Sequence, residues 1–136
     1  MLATLFLKGE RHRLYTLSVK GESEVDELLI GQHADKHLKK VVANFLNRLQ
    51  YAAERGFWNL PKEWRDCWQE TKPKGLFCEF KSHDYRISYF SYPEGRVLLV
   101  TWFSKTKDKE KSQYARALRI NNQFSQNQPW DEFEGE

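Results

Sequence analysis

From Gly75 to Asn121 the chain runs through three short stretches rich in aromatic and β-branched residues, breaks at two tight turns, and then enters a lysine-rich segment. Side chains that alternate with a period of two mark strands. The stretch therefore predicts three antiparallel strands, Leu76 to Lys81, Arg86 to Tyr92 and Arg96 to Phe103. Ser82-His83-Asp84-Tyr85 supplies the first turn, and Tyr92-Pro93-Glu94-Gly95 has the Pro and Gly placement that a type I turn prefers. The near-continuous apolar run of the third strand implies burial on both faces.

Pairing the strands through these turns sets Lys81 opposite Arg86, and Arg86 opposite Thr101. Opposed residues share a face. One face then carries Leu76, Cys78, Phe80, Ile87, Tyr89, Leu98, Val100 and Trp102, which reads as the core. Trp102→Ala should accordingly cost roughly 3–5 kcal/mol, as buried large-to-Ala changes do. The other face carries Lys81, Arg86, Ser88, Phe90, Thr101, Phe103 and Lys105. Because Arg86 lies opposite the inferred core, its removal is expected to leave the fold intact.

The remaining chain surrounds this unit. Leu2 to Leu7 and Arg11 to Val19 read as strands around Lys8-Gly9-Glu10. Ser23 precedes acids suited to a helix N-terminus. Residues 35–55 place Leu38, Val41, Val42, Phe45, Leu46, Leu49 and Ala53 on one helical stripe, stopped by Gly56. Residues 57–74, with Trp58, Trp64, Trp68, Pro61 and Pro73, are expected to form a packed loop. A last helix is expected from Asp108 or Ser112 to about Gln123.

With 136 residues, 40% of them hydrophobic and 15% aromatic, one domain with one core is the expectation. The net charge of +3 conceals an asymmetry. Asp131, Glu132, Glu134 and Glu136 give residues 125–136 a charge of −4, leaving 22 basic against 15 acidic residues, or +7, in the body. A basic body suits a polyanionic partner. Cys67 and Cys78 do not make a disulfide framework and read as buried thiols of a reducing compartment. Met1 to Leu7 is short for a signal-peptide core and lacks a basic leader, and no run reaches transmembrane length. A cytoplasmic protein with no membrane association is expected.

Lys81, Arg86 and Lys105 form the main candidate constellation. Clustered cations need an anion, and a phosphodiester would supply it through charge-assisted hydrogen bonds. Pairing with Glu79 and Asp84 is the alternative. Phe77, Phe90 and Phe103 on the same face could stack on unpaired bases or pack under the last helix. Lys105, Lys107, Lys109 and Lys111 could track a nucleic-acid backbone or form a solvated loop. His33 and His37 have i, i+4 spacing, but no further ligand completes a metal site. His83 could approach the basic face as an acid or base. No cofactor-binding motif occurs.

Gly75-Leu76-Phe77-Cys78-Glu79-Phe80-Lys81, Tyr85-Arg86-Ile87-Ser88-Tyr89-Phe90, Val97-Leu98-Leu99-Val100 and Phe103-Ser104-Lys105-Thr106, followed by Ala117 and Arg119, resemble in order and spacing the RelE/HigB superfamily of bacterial toxins, in its phage-derived branch. The resemblance implies an α+β fold: a twisted antiparallel sheet, an N-terminal helical pair packed on one face and a short C-terminal helix. It implies a single RelE-like toxin domain over residues 1–124 and an acidic, flexible tail over 125–136. It also implies an mRNA endoribonuclease without metal or cofactor, acting on translated mRNA in the ribosomal A site and neutralised by a cognate antitoxin protein. By position, Lys81, Arg86 and Lys105 would be catalytic, while Lys107, Lys109, Lys111, Phe90 and Phe103 would bind RNA. The superfamily also includes gyrase-targeting toxins that do not cut RNA, so a non-enzymatic binder is the alternative.

Overall fold

The computed structural model describes residues 1–127 and 130–131. Two strands, β1 (Leu2–Lys8) and β2 (Arg13–Ser18), form a hairpin and lead into α1 (Glu24–Ile30) and α2 (Lys36–Arg55). Strands β3 (Arg65–Thr71), β4 (Lys74–Ser82), β5 (Tyr85–Tyr92) and β6 (Arg96–Ser104) follow. Helix α3 (Glu110–Asn127) and the short β7 (Trp130–Asp131) complete the described chain.

All seven strands join one sheet in the order β3-β4-β5-β6-β2-β1-β7. The expected antiparallel sheet is thus corrected to a mixed one: β2 lies parallel to β6, with Arg13 beside Arg96, and β1 lies parallel to β7. The physical reason is the connection. A parallel neighbour requires a long crossover, and α1, α2 and the strands after them return the chain to β2's edge. The helical pair lies between β2 and β3. The last helix is 18 residues long, not short. Of the expected acidic tail, residues 125–127 belong to α3 and Trp130–Asp131 to β7, while 128–129 and 132–136 lie outside the described residues.

Helices cover both faces of the sheet. Val41, Phe45 and Leu49 of α2 pack on Cys78, Phe80, Ile87, Tyr89, Val97 and Leu99. Ala117, Leu118 and Phe124 of α3 pack on Phe77, Phe90, Leu98, Val100 and Phe103. The central strand β6 is buried on both faces, as its apolar run predicted. The hairpin is clamped to α2 at Gly9, where an added Cβ would run into the Ala53 backbone. The Arg11 and His12 amides both donate to the Ala53 carbonyl there.

Two-residue turn geometry fixes Lys81 opposite Arg86, as expected. The next register differs. Arg86 opposes Phe103, not Thr101, and a bulge between Ile87 and Tyr89 sets Ser88 against an extra β6 residue. Ser88 Oγ lies 2.6 Å from Thr101 Oγ1 and accepts from the Thr101 amide at 3.0 Å, so the bulge buries satisfied polar groups. The slip moves Leu98 and Val100 to the α3 face and brings Val97 and Leu99 to the α2 face.

Trp102 is opposite Ile87 and faces the α2 core, as expected, but it is only half-buried. Trp102→Ala is therefore expected to cost roughly 2 kcal/mol, below the range for an enclosed side chain. A shift of the urea midpoint at unchanged slope is the measurement, and an unshifted midpoint would contradict this packing.

The segment expected as a loop contains β3, antiparallel to β4. Cys67 opposes Cys78 in that ladder, and the two form a disulfide. This corrects the reading of two free thiols and removes its argument for a reducing compartment. Among the described residues, no helix is long and apolar enough to cross a membrane.

Candidate functional site

The β4–β5 turn is the meeting point of three elements. Ser82 and Tyr85 close it, leaving His83 and Asp84 at its tip. His83 has φ +53, a left-handed conformation that favours glycine, held here by a residue with a reactive side chain. Asp35 caps α2, accepting from the amides of His37 and Leu38 at 2.7 and 3.2 Å. That cap places His37 in the first turn of α2, aimed at the β-turn.

His37 Nε2 lies 3.0 Å from Asp84 Oδ1. Thr106 Oγ1 donates to the other Asp84 oxygen at 3.2 Å. The His37 hydrogen bond, with smaller help from Thr106, holds the Asp84 carboxyl below its ordinary range. The ring of His83 sits 5.7 Å from that of His37, and the Tyr85 ring 6.3 Å. Two exposed imidazoles, one oriented by a carboxylate, thus share one rim.

The lysines come from the β6–α3 connection. The Lys105 amide donates to the Asp84 carbonyl at 2.7 Å, tying this loop to the β4–β5 turn. Asp108 Oδ2 accepts from the Ser104 amide at 2.8 Å and folds the loop back. Lys107 is close enough to Asp35 to help hold its carboxyl low, behind the larger effect of the Leu38 and His37 amides. Lys105 and Lys107 are exposed beside the histidine rim, whereas Lys109 and Lys111 lead into α3 and its first turn.

Arg86 is placed differently from its expected role. It is 8% exposed, and its Nη1 donates to the carbonyls of His83 and Tyr85 at 2.8 and 2.9 Å. Its Nε is 3.5 Å from Glu79, which is itself buried. The guanidinium braces the turn from beneath. Lys81 lies beside it in the ladder and is half-buried. Phe90 and Phe103 are 8% and 1% exposed under α3, which places them in a core and not on an open RNA-stacking surface. His33 and His37 are not brought together as a pair: His33 Nε2 contacts the Leu28 carbonyl at 2.8 Å beyond α1. Among the described residues no group of three or more His, Cys, Asp or Glu side chains could hold a metal ion.

The residues that sequence reasoning missed are His37, Asp84 and Thr106 as one unit. His37 and Asp84 are 47 positions apart, and only the docking of α2 on the sheet brings them together. The proximity of His83 to the basic loop was the part of the signal present locally.

No family model matches the sequence, and no curated protein matches it.

Proposed function

We propose that this chain is an endoribonuclease that cleaves RNA through attack of the 2′-hydroxyl on the adjacent phosphate, with no metal in the reaction. The observation that carries the reading is the His37–Asp84 dyad with His83 5.7 Å away on a lysine-bearing rim. RNA carries its own nucleophile, so the protein must move two protons and offset developing charge. One imidazole removes the 2′-hydroxyl proton. The other protonates the departing 5′-oxygen. Asp84 orients His37, while Lys105 and Lys107, with Lys81 at the edge, neutralise the phosphate. In this assignment Arg86 positions the turn.

The resemblance to RelE/HigB toxins supports mRNA, read in the ribosomal A site, as the substrate, and a cognate antitoxin as the partner. A small helix-turn-helix protein encoded in the adjacent reading frame would support that pairing. The second reading is a toxin or regulator that binds nucleic acid or gyrase without cleavage. It is favoured by the engagement of Arg86, whose Nη1 donates to two carbonyls and whose Nε faces Glu79.

Cleavage assayed on free RNA and on translating ribosomes separates the two. Products are expected to carry a 2′,3′-cyclic phosphate, or its hydrolysed 3′-phosphate, and a 5′-hydroxyl. A substrate with 2′-deoxy at the scissile position should bind and resist cutting. Cleavage of free RNA should persist in EDTA. Products with 5′-phosphate ends would reject the mechanism, and no cleavage in either setting would favour the binder.

A further inference from the structure

The β4–β5 ladder ends at Cys78 opposite Tyr89. Beyond that point the N-terminal half of β4 pairs with β3, and the C-terminal half of β5 pairs with β6. The sheet is split there, and the split opens a cleft. On the α2 side it is a cavity of about 350 Å³, and on the α3 side one of about 260 Å³. Leu76, Phe90, Asn121 and Ser125 line both, so the two spaces adjoin through the gap.

The chemistry of this cleft is one-sided. Phe57, Trp58, Tyr89 and Phe90 supply aromatic walls on the larger side. Arg65 is the cation there, and Lys74 and Arg119 line the smaller side. Among the described lining residues there is no Asp or Glu. Arg65 is held in place: Nε donates to the Tyr89 hydroxyl at 2.7 Å, Nη2 to Cys67 Sγ at 3.2 Å, and the guanidinium stacks 5.0 Å from the Trp58 ring centroid. Neither acceptor is a carboxylate, and among the described residues none pairs with this charge. A preset guanidinium without its anion, inside aromatic walls, is complementary to a flat anion.

Two further observations fit a ligand. Trp58 is 77% exposed and Leu76 49% exposed, so two large apolar side chains stand in water at this cleft. The oxygen of the Asn121 amide is taken by the Tyr92 hydroxyl at 2.7 Å, leaving its NH₂ as a donor on the lining. The cavity's volume suits a molecule of about two fused rings.

We propose that this cleft is a binding site for a small, flat aromatic monoanion, with Arg65 holding the acidic group and Trp58 and Phe57 the ring. It lies at the end of β5 away from the histidine rim and does not depend on the ribonuclease reading. The probe pair is 2-naphthoate and its neutral analogue 2-naphthamide, titrated into the full chain by calorimetry with amide chemical shifts recorded in parallel. Naphthoate is expected to saturate one site, with shifts grouped around Leu76, Tyr89 and Asn121. Naphthamide should bind about tenfold more weakly, the value of one charge-assisted contact. Arg65→Gln should erase the difference between the two. Trp58→Ala, at an exposed side chain that leaves the fold intact, should weaken both. Absence of saturable naphthoate binding, equal affinity for acid and amide, or binding unchanged by Trp58→Ala would each overturn the proposal, and none of the three requires the Arg65 variant to fold.

Discussion

His37→Ala is expected to lower RNA cleavage by roughly 10²–10⁴-fold, the usual contribution of a positioned acid or base. The His37 side chain is 55% exposed, so its removal opens no cavity. Loss of activity without loss of the circular dichroism spectrum is therefore the expected signature. His37→Gln keeps a donor toward Asp84 but cannot exchange a proton, and it should be as inactive as the alanine variant. His83→Ala should remove the second proton-transfer step and give a loss of the same order. Asp84→Asn should cost less, since it keeps a hydrogen-bond partner for the ring while losing the charge. The pH profile offers an independent check. The Asp84 carboxyl is held below its ordinary value of 3.8. The stability it contributes is thus complete above that value and is lost only as pH falls through the lower folded value. The dyad's carboxylate is ionised across the neutral range and remains the charged partner of His37 there. A folded His37→Ala protein with unchanged turnover would sink the assignment.

The parts of this architecture that were legible in sequence are those set by local rules. Two strands joined by His83-Asp84 can pair in only a few ways, so Lys81 had to meet Arg86. The α2 stripe was visible because Val41, Phe45 and Leu49 recur at helical spacing. The second hairpin was not legible to the same degree. Its bulge at Ser88 adds a residue that no alternation pattern announces, and one extra residue reverses the face of Leu98 and Val100. Phe90 and Phe103 look alike whether they meet a nucleobase or a helix. Only the long α3, laid across them, decides for the helix. Strand β3 was hidden because Arg65, Asp66, Gln69 and Glu70 dilute its apolar residues at a sheet edge. With β3 unseen, the opposition of Cys67 and Cys78 could not be foreseen. The cation cluster read from the sequence lies near the β4–β5 turn, but the His37–Asp84 contact depends on how α2 docks.

Arg86→Ala is expected to destabilise the fold by about 3–5 kcal/mol, as breaking a buried ion pair does. This reverses the expectation drawn from alternation alone. Burial is the deciding fact: Arg86 is 8% exposed and Glu79 6%. Removing the guanidinium leaves the His83 and Tyr85 carbonyls without this donor and Glu79 without the cation beside it. Glu79 is already under strain of solvation. Burial pushes its carboxyl above the ordinary 4.5, Arg86 and Lys81 pull it back, and its Oε1 has no hydrogen-bond partner among the described residues. Without Arg86 the carboxyl should rise further. A carboxyl with a raised folded value contributes stability that is complete below 4.5 and lost as pH rises through the folded value. The Arg86→Ala penalty should therefore be larger at pH 7 than at pH 4.5. Adding Glu79→Gln should recover part of it at pH 7 by removing the unpaired charge. Urea midpoints of the single and double variants at both pH values make the measurement. A single variant within about 0.5 kcal/mol of the parent, the range of an ordinary surface change, would contradict the burial. The result also bears on function. The carbonyls that Arg86 holds belong to the turn carrying His83 and Asp84, so losing it should displace both from His37. Arg86→Lys keeps a charge near Glu79, but its single ammonium replaces two separate nitrogens, the Nη1 that donates to both carbonyls and the Nε that faces Glu79. It should regain stability more fully than cleavage, whereas an arginine that grips the phosphate itself would lose activity with no change in the urea midpoint.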